Sequence, residues 1–469
     1  MLFNSIDFFI FFIAICFLYY RMQHKHRWML LLAGSYYFYM SWKYEYIILI
    51  IVSTIIDYFC ARSIYQATGQ KKKKRFLYLS LFSNLSILFI FKYFNFFTEN
   101  INYSLQFIGL SYEIPLAELV LPVGISFYTF QTMSYSIDVY KGETIVENHF
   151  GRFALFVTYF PQLVAGPIER SNRLLPQLRK KVEFNYEQIT SGLKLMAWGL
   201  FKKVVIADRL SSFVEIAFDR SADLTGLPLI LGTIFFAIQI YCDFSGYSDI
   251  AIGASRVLGI KLMKNFKRPY FSLNVREFWK RWHISLSSWF RDYVYIPLGG
   301  NRVVKWRGYY NLMITFMVSG FWHGANWTFI IWGALHGIYL VALVMINNRW
   351  TFPKTKLFSI FQWALTFTLV CFAWIFFRAK DMSEAMTLIQ NSLQFSIEKT
   401  ALTGFNELLT ALILIAFMTS IEILHEKDKL VSLFNSRPTW QRWLCYYSFL
   451  FIIYFFGVFE KTQFIYFQF

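Results

Sequence analysis

The 469-residue chain is 57% hydrophobic and 16% charged, with a formal net charge of +18 at pH 7. Soluble domains carry roughly 25% charged residues, so the composition excludes an ordinary soluble protein and predicts a polytopic membrane protein. The positive charge does not indicate a nucleic-acid partner, because the basic residues fall in short loops between apolar runs, as the positive-inside rule expects.

The first part of the chain alternates apolar runs with basic loops. Leu2–Tyr20 is predicted to be a retained first span, since neither a basic region nor a small-residue cleavage site accompanies its apolar run. Two compact basic loops, Arg21–Arg27 and Lys71–Arg75, are expected in the cytoplasm. The apolar stretches between them, Trp28–Met40 and Tyr46–Cys60, are shorter than the ~20 residues of an upright span and are expected to form a hairpin.

Three segments further along do not look like ordinary spans. Leu119–Ile137 contains Pro122 and Gly124 and is predicted to be a kinked helix. The segment GPIERSNRLLPQLRKKVEF, which starts at Gly166, is basic and amphipathic and is expected to be a cytoplasmic or interfacial segment lying on the membrane. Arg256–Arg307 interleaves basic residues with Phe and Trp and has the same interpretation.

Two carboxylates, Asp243 and Asp249, follow the apolar run Leu227–Tyr241. Carboxylates beside a span either cap a helix or coordinate a cation, and the sequence leaves both interpretations open.

The whole pattern predicts an all-α polytopic membrane protein. We count about 11 membrane segments, some of them re-entrant or interfacial. The sequence contains no internal repeat and no low-complexity linker, so residues 1–469 are expected to form a single integral-membrane domain.

Three of the seven histidines have apolar or aromatic neighbours. His323 and His336 lie in SGFWHGANWTFIIWGALHGIYL (Ser319–Leu340), a run apolar enough for a bilayer. An ionisable side chain in such a run is costly and is a functional hypothesis by default. His283 lies in FWKRWHISLS, where aromatic residues alternate with cations. The other four histidines belong to polar or charged loops.

His323 has the surroundings of a general base. Trp322 excludes water, Gly324 lets another group approach, and desolvation favours the neutral imidazole that a base requires. In one straight helix His336 would lie roughly 20 Å from His323, whereas a break at Gly324 would shorten that distance. A structural role stays open for each histidine, and no cysteine or carboxylate at suitable spacing supports a metal site.

Nucleophile and phosphate-binding motifs do not occur in the sequence. There is no GxSxG elbow, no Walker A loop and no GxGxxG after a strand. The simplest chemistry is therefore a buried neutral histidine that acts on an acceptor hydroxyl beside a bound, activated acyl donor.

Six segments closely resemble the membrane-bound O-acyltransferase family, and the resemblance covers nearly the whole chain. They are SYSIDVYKG (Ser134–Gly142), QLVAGPIER (Gln162–Arg170), IYCDFSGYSDIAIG (Ile240–Gly253), FWKRWHISLSSWFRDYVYIPLGGNR (Phe278–Arg302), SGFWHGANWTFIIWGALHG (Ser319–Gly337) and the terminal FIYFQF (Phe464–Phe469). The nearest branch is the bacterial alginate O-acetyltransferase type, AlgI-like, with the D-alanyl transferases of teichoic acid modification as more distant relatives.

The resemblance implies a multi-helix disc with a tunnel from the cytoplasmic side to the catalytic histidine. The family's WHG histidine corresponds to His323, and the upstream second position of the site corresponds to His283. The resemblance does not make His336 catalytic and suggests a place in the tunnel. The residues expected to line the substrate route are His336, Asn326, Trp322, Ser319 and Arg281.

The predicted function is acetyl transfer to a hydroxyl for O-acetylation of an extracytoplasmic polysaccharide. The resemblance implies acetyl-CoA or another acyl thioester as a donor substrate on the cytoplasmic side, with no permanently bound cofactor. It also implies a partner, either an extracytoplasmic SGNH-type acetyltransferase or a small membrane protein, and a location in the bacterial inner membrane. The alternatives are D-alanyl transfer for teichoic acid modification, a glycan or lipid transporter with proton-relay histidines, and a structural scaffold.

Overall fold

The computed structural model describes residues 1–350, 352–353, 355–394, 404–426, 434, 436–459 and 464–465. All regular structure within these residues is helical, which confirms the all-α prediction. Residues 466–469 of the terminal segment FIYFQF lie outside the described part of the chain.

Twenty α-helices follow one another along the described residues. They are α1 Ile6–Arg21, α2 His24–Met40, α3 Ile47–Gln66, α4 Gln70–Leu88, α5 Phe94–Phe107, α6 Ile125–Lys141, α7 Phe150–Thr158, α8 Phe160–Leu163, α9 Ser171–Arg179, α10 Tyr186–Leu200, α11 Asp208–Asp219, α12 Leu227–Val257, α13 Val275–Arg281, α14 Ile284–Phe290, α15 Lys305–His323, α16 Trp327–Asn347, α17 Lys356–Arg378, α18 Met382–Ser392, α19 Phe405–Glu426 and α20 Thr439–Phe456. The described residues also form three π-helical turns. One joins α4 to α5 (Phe89–Tyr93), one joins α10 to α11 (Phe201–Ala207) and one extends α14 (Arg291–Tyr295).

Six helical segments of the described chain are long and apolar enough to cross a membrane. They are Tyr44–Gln66, Gln70–Phe107, Leu227–Val257, Trp327–Asn347, Lys356–Arg378 and Phe405–Glu426. These spans confirm a multi-pass membrane protein but not the count of about 11 segments. Many of the other helices are shorter than the ~20 residues that an upright span requires.

The kinked helix predicted for Leu119–Ile137 is wrong. Residues 119–122 have no regular structure, and α6 begins only at Ile125. Gly124 precedes α6 with a left-handed φ of 77°, and a Cβ there would lie 2.7 Å from the carbonyl oxygen of Leu163. The Pro-Val-Gly sequence thus ends a loop that packs against the chain after α8, where a larger residue would be both strained and crowded.

Both basic amphipathic segments bury apolar side chains against the rest of the protein. In α9, Leu174, Leu175 and Leu178 are buried in the core. In the Arg256–Arg307 segment, the aromatic side chains of Trp282 and Trp289 are buried as well. An amphipathic pattern shows that one face is covered, but the cover here is the rest of the chain.

The carboxylates after Tyr241 neither cap a helix nor stand at the end of a span. Helix α12 continues to Val257, so Asp243 and Asp249 lie inside it. Lys203 pairs with Asp243 at 2.7 Å and with Asp208 at 2.8 Å, and Lys202 pairs with Asp249 at 2.6 Å. Both lysines are buried in the π-helical turn after α10, so the carboxylates neutralise buried cations.

Two glycine pairs let α10 and α12 approach closely beside this ion cluster. A Cβ on Gly199 would lie 2.5 Å from the carbonyl oxygen of Gly246, and one on Gly192 would lie 2.7 Å from that of Gly253. Small residues at a crossing allow backbones to touch, which is how helices associate in lipid.

We expect Lys203→Met to destabilise the fold by roughly 3–5 kcal/mol, because it leaves Asp208 and Asp243 buried together without their cation. Thermal unfolding of the detergent-solubilised protein, followed by tryptophan fluorescence, measures the effect. The matched control is Lys194→Met on α10, where the side chain is exposed. Equal unfolding temperatures for the two variants would contradict a stabilising role of the cluster.

Candidate active site

His323 is the last residue of α15, and the chain breaks directly after it. Gly324 is extended, and Asn326 starts α16 as an N-cap whose side-chain oxygen accepts the Thr328 N–H at 3.1 Å. The stretch Ser319–Leu340 is therefore two helices rather than one, joined by a tight turn. The buried imidazole sits where the first helix ends inside the protein.

Gly324 is required at this turn because Phe329 packs directly over it. A Cβ at position 324 would lie 2.1 Å from the Phe329 ring. The phenyl ring, which is also 5.0 Å from Phe377, thus closes over the end of α15. The turn holds His323 against aromatic side chains and not against solvent.

The π-helical turn between α4 and α5 caps the carbonyl groups at the end of α15. Lys92 Nζ donates to the carbonyl oxygens of Trp322 and His323 at 2.9 and 2.8 Å, and the Tyr93 hydroxyl donates to that of Phe321 at 3.2 Å. The last carbonyl groups of a helix have no partner within it, and a cation favours the negative end of the helix dipole. Among the described residues Lys92 forms no ion pair, and its Nζ group donates to this helix end instead.

His283 lies between α13 and α14 with a left-handed φ of 41°. A non-glycine residue in this conformation is uncommon and often marks a functional site. Its side chain is fully buried. Burial lowers the pKa of His283 to about 3, so the ring is neutral at physiological pH.

Asn265 fixes which ring nitrogen of His283 carries the proton. The Asn265 side-chain oxygen accepts the backbone N–H and the hydroxyl of Ser285 at 3.3 and 2.8 Å, which identifies it as an oxygen. His283 Nδ1 lies 3.1 Å from the same oxygen and must donate to it. In the neutral ring, Nε2 is then the nitrogen with a lone pair.

The structure brings His283 and His323 together. Their ring centroids are 6.5 Å apart, although the two residues are 40 positions apart in the sequence (323 − 283 = 40). Trp322, Trp332 and Phe377 surround His323 with ring centroids 4.9, 5.0 and 5.3 Å away. Two neutral imidazoles behind an aromatic wall can exchange a proton with a bound hydroxyl and exclude water from it.

His336 lies on α16, beyond the Trp332 ring as seen from His323. Trp332 separates it from His323, with ring centroids 5.0 Å from each. The break at Gly324 thus shortens the separation expected for one straight helix. The Trp279 indole N–H donates to His336 Nδ1 at 3.2 Å, so α13 and α16 are joined at this point.

The remaining predicted route residues lie in different places. Trp322 is buried against Phe130, and Ser319 is buried one helical turn before His323. Asn326 caps α16 and donates to the Lys380 carbonyl at 2.8 Å, so its amide is engaged at the outside of the turn. Arg281 pairs with Glu277 and with Glu426 at the end of α19.

A small cleft opens beside His323. It is lined by residues 121–127, which end the loop and begin α6, by Val164 and Trp322, and by Lys92. Lys92 lines this cleft but was not among the site residues predicted from the sequence. A lysine inside the apolar run 76–97 is itself an indication of a functional position. Asn265 was missed as well, and nothing in its sequence neighbourhood indicates its role.

The chain matches the model of the membrane-bound O-acyltransferase family, MBOAT, over residues 31–383. A peptidoglycan O-acetyltransferase of Helicobacter pylori is 39% identical over 77% of this chain and 72% of its own length. A probable alginate O-acetylase AlgI of Pseudomonas syringae pv. tomato is 39% identical over 89% of this chain and 81% of its own length. A teichoic acid D-alanyltransferase of Streptococcus thermophilus is 34% identical, over 50% of this chain and 58% of its own length.

We expect Lys92→Met to destabilise the protein more than Tyr93→Phe. The lysine makes two hydrogen bonds to the end of α15 and the tyrosine makes one, and each such bond is worth about 1 kcal/mol. Thermal unfolding in detergent compares the two variants, with Tyr93→Phe as the control for perturbing the π-helical turn. A Lys92→Met variant as stable as the wild type would show that the cap is dispensable.

Proposed function

The chain belongs to the membrane-bound O-acyltransferase family, and we propose that it moves an acetyl group from cytoplasmic acetyl-CoA to a hydroxyl for O-acetylation of an extracytoplasmic polysaccharide. The protein is thus an O-acyltransferase. The acetyl group, the acetyl-CoA donor and the polysaccharide acceptor are proposed. The observation that carries the proposal is the buried pair of His323 and His283, with rings 6.5 Å apart at two breaks in the helical chain.

The reaction needs one base and one thioester. His323 takes the proton of the acceptor hydroxyl as its oxygen attacks the thioester carbonyl carbon. The C–S bond breaks, the acetyl group forms an ester with the oxygen, and the thiolate takes up the proton from His323. CoA leaves as the free thiol, so no oxidant or metal enters the balance.

The hydrogen bonding of His283 favours positioning over oxyanion stabilisation. Its Nδ1 proton is donated to Asn265, so the Nε2 lone pair accepts a hydrogen bond and offers no proton to a developing oxyanion. We propose that Nε2 receives the acceptor hydroxyl and directs it to His323. A residue that orients the nucleophile reduces the entropic cost of reaction.

Cationic side chains on the segment that leads to His283 support a cytoplasmic donor. Lys264, Lys267, Arg276 and Lys280 are exposed on this segment. They would attract the phosphates of CoA, whereas Arg281 is engaged by two carboxylates. The basic clusters Arg21–Arg27 and Lys71–Arg75 lie around the start of α2 and at the start of α4, and by the positive-inside rule they would face the cytoplasm.

The acceptor is proposed from the relatives' names. One relative is named for O-acetylation of peptidoglycan and another for O-acetylation of alginate. We propose that the acceptor of this chain is likewise an extracytoplasmic polysaccharide. An extracytoplasmic acetyltransferase partner or a small membrane protein would relay the group if transfer is indirect. The D-alanyltransferase relative covers less of the chain, which favours acetyl over D-alanyl, and family membership speaks against a transporter.

His323→Ala should lower acetyl transfer at least 10²-fold, because it removes the general base. The measurement is incorporation of label from radioactive acetyl-CoA into envelope glycans by membranes. His283→Ala should give a smaller loss, since it removes only the positioning group.

The matched control is His26→Ala, at an exposed position in the first turn of α2. Its transfer rate should equal that of the wild type. Transfer by His323→Ala at the same rate as this control would show that His323 is not the base.

A further inference from the structure

A second cavity, with a basic lining, lies between α1, α2, α7 and α9. Lys25 and Arg27 line it from α2, Arg152 lines it from α7, and Lys180 lines it from the chain directly after α9. The cavity shares no lining residue with the cleft beside His323. It is therefore a different site from the candidate active site.

The positive charges of this lining are not neutralised by the protein. No Asp or Glu is among the described residues that line the cavity. Lys25, Arg152 and Lys180 form no ion pair within the described chain, and the nearby Glu147 pairs with Arg179 at 2.5 Å instead. Cations that converge on one cavity repel each other, and a lining of one sign concentrates the opposite charge. The cavity therefore favours an anion.

Helix α2 begins at this cavity with charges that oppose its dipole. The residues His24–Arg27 of its first turn are all basic, no acidic residue lies among them, and Gln23 makes no side-chain cap bond. Negative charge stabilises the N-terminus of a helix, and positive charge destabilises it. An anion in the cavity would offset this unfavourable start as well as the repulsion among the cations.

Arg27 is held in position by the protein itself. Its Nε and Nη1 groups donate to the carbonyl oxygens of Met22 and Val182 at 3.1 and 2.6 Å. Its guanidinium also lies 4.6 Å from the ring centroid of Tyr19. A guanidinium that is already fixed loses little side-chain entropy when it binds a ligand, and its planar group suits the oxygens of a phosphate.

The inner part of the cavity is apolar. Leu31, Leu155 and Leu178 line it and are buried, whereas Lys25 and Lys180 are exposed. The charges thus lie at the mouth and the leucines at the floor. An inorganic anion would leave this floor without a partner, whereas the first methylene groups of a lipid would cover it.

The cavity also lies where an apolar helix surface ends. Helix α1 exposes the large apolar side chains of Ile10, Ile13 and Phe17, as a lipid-facing helix does, and it ends at Arg21. Tyr19, in the last turn of α1, lines the cavity. The cations therefore lie at the depth of lipid headgroups. By the positive-inside rule this is the cytoplasmic leaflet, where anionic lipids give the surface its negative potential.

We propose that this cavity binds the phosphate headgroup of an anionic phospholipid. Lys25, Arg27, Arg152 and Lys180 pair with the headgroup, and the leucines of the floor contact the start of its acyl chains. Basic pockets between helices on the cytoplasmic side of membrane proteins bind lipid headgroups in this way. The site does not take part in acyl transfer, so lipid binding and not activity is its test.

The test measures dissociation constants of short-chain lipids for the full-length protein in detergent by native mass spectrometry. Dioctanoyl-phosphatidylglycerol should bind at least 10-fold more tightly than dioctanoyl-phosphatidylcholine, whose headgroup has no net charge. In the double variant Arg152→Gln/Lys180→Gln, the affinity for the phosphatidylglycerol should fall at least 10-fold, since each cation near an anionic lipid contributes about fivefold. The affinity for the phosphatidylcholine should stay within twofold, which controls for damage to the fold.

Three further variants make the test specific. Lys74→Gln/Arg75→Gln also removes one lysine and one arginine, from exposed positions near the start of α4, and should bind both lipids as the wild type does. Arg152→Lys/Lys180→Arg retains both charges and should keep most of the affinity. Lys25→Gln changes an exposed side chain and should lose about fivefold, so the test does not depend on the folding of a double variant.

Three outcomes would overturn the proposal. The first is a wild type that binds the two lipids equally. The second is an equal loss in the Arg152/Lys180 and Lys74/Arg75 double variants, because general surface charge and not the cavity would then attract the lipid. The third is displacement of the phosphatidylglycerol by inorganic phosphate or CoA with a lower dissociation constant than that of the lipid, which would assign the cavity to a soluble phosphate.

Discussion

The site depends on ending a helix inside an apolar interior. A backbone carbonyl away from water must find a donor, and α15 ends at the buried residue His323. Lys92 and Tyr93 supply the donors from another part of the chain, and the π-helical turn carries them. A π-turn widens the helix locally and is frequent at functional sites. The position of the imidazole therefore depends on the packing of the π-helical turn and α5 against α15.

His283 is also held by a hydrogen bond to another part of the chain. It too sits at a break between helices. The side-chain oxygen of Asn265 accepts its Nδ1 proton and also accepts the backbone N–H and the hydroxyl of Ser285. Side chains at helix ends point along directions that a continuous helix does not offer, which is how two residues of different segments converge. The left-handed backbone of His283 costs free energy, and buried hydrogen bonds of this kind offset that cost.

The sequence alone singles out those site residues whose signal lies in their immediate neighbours. His323 and His283 stand out because an ionisable ring in an apolar or aromatic run is unusual, and both are found at one place. The roles of Lys92, Asn265 and Lys203 depend on partners far away in sequence, for instance 230 positions from Lys92 to Trp322. Periodicity shows that a face is covered but not whether lipid or protein covers it, and in α9 and in residues 256–307 the covered faces pack against protein.

The buried ion cluster acts on the same site through one residue. Asp243 is held by Lys203 and accepts the Ile465 backbone N–H at 2.8 Å, and the next residue, Phe244, packs edge-on against His283 at 4.7 Å. A buried pair gives little net stability, but it fixes the register of the helices that carry it. In α12 that register decides whether Phe244 faces the imidazole. The charges inside the membrane protein thus position an aromatic wall, and the wall keeps water from the two histidines.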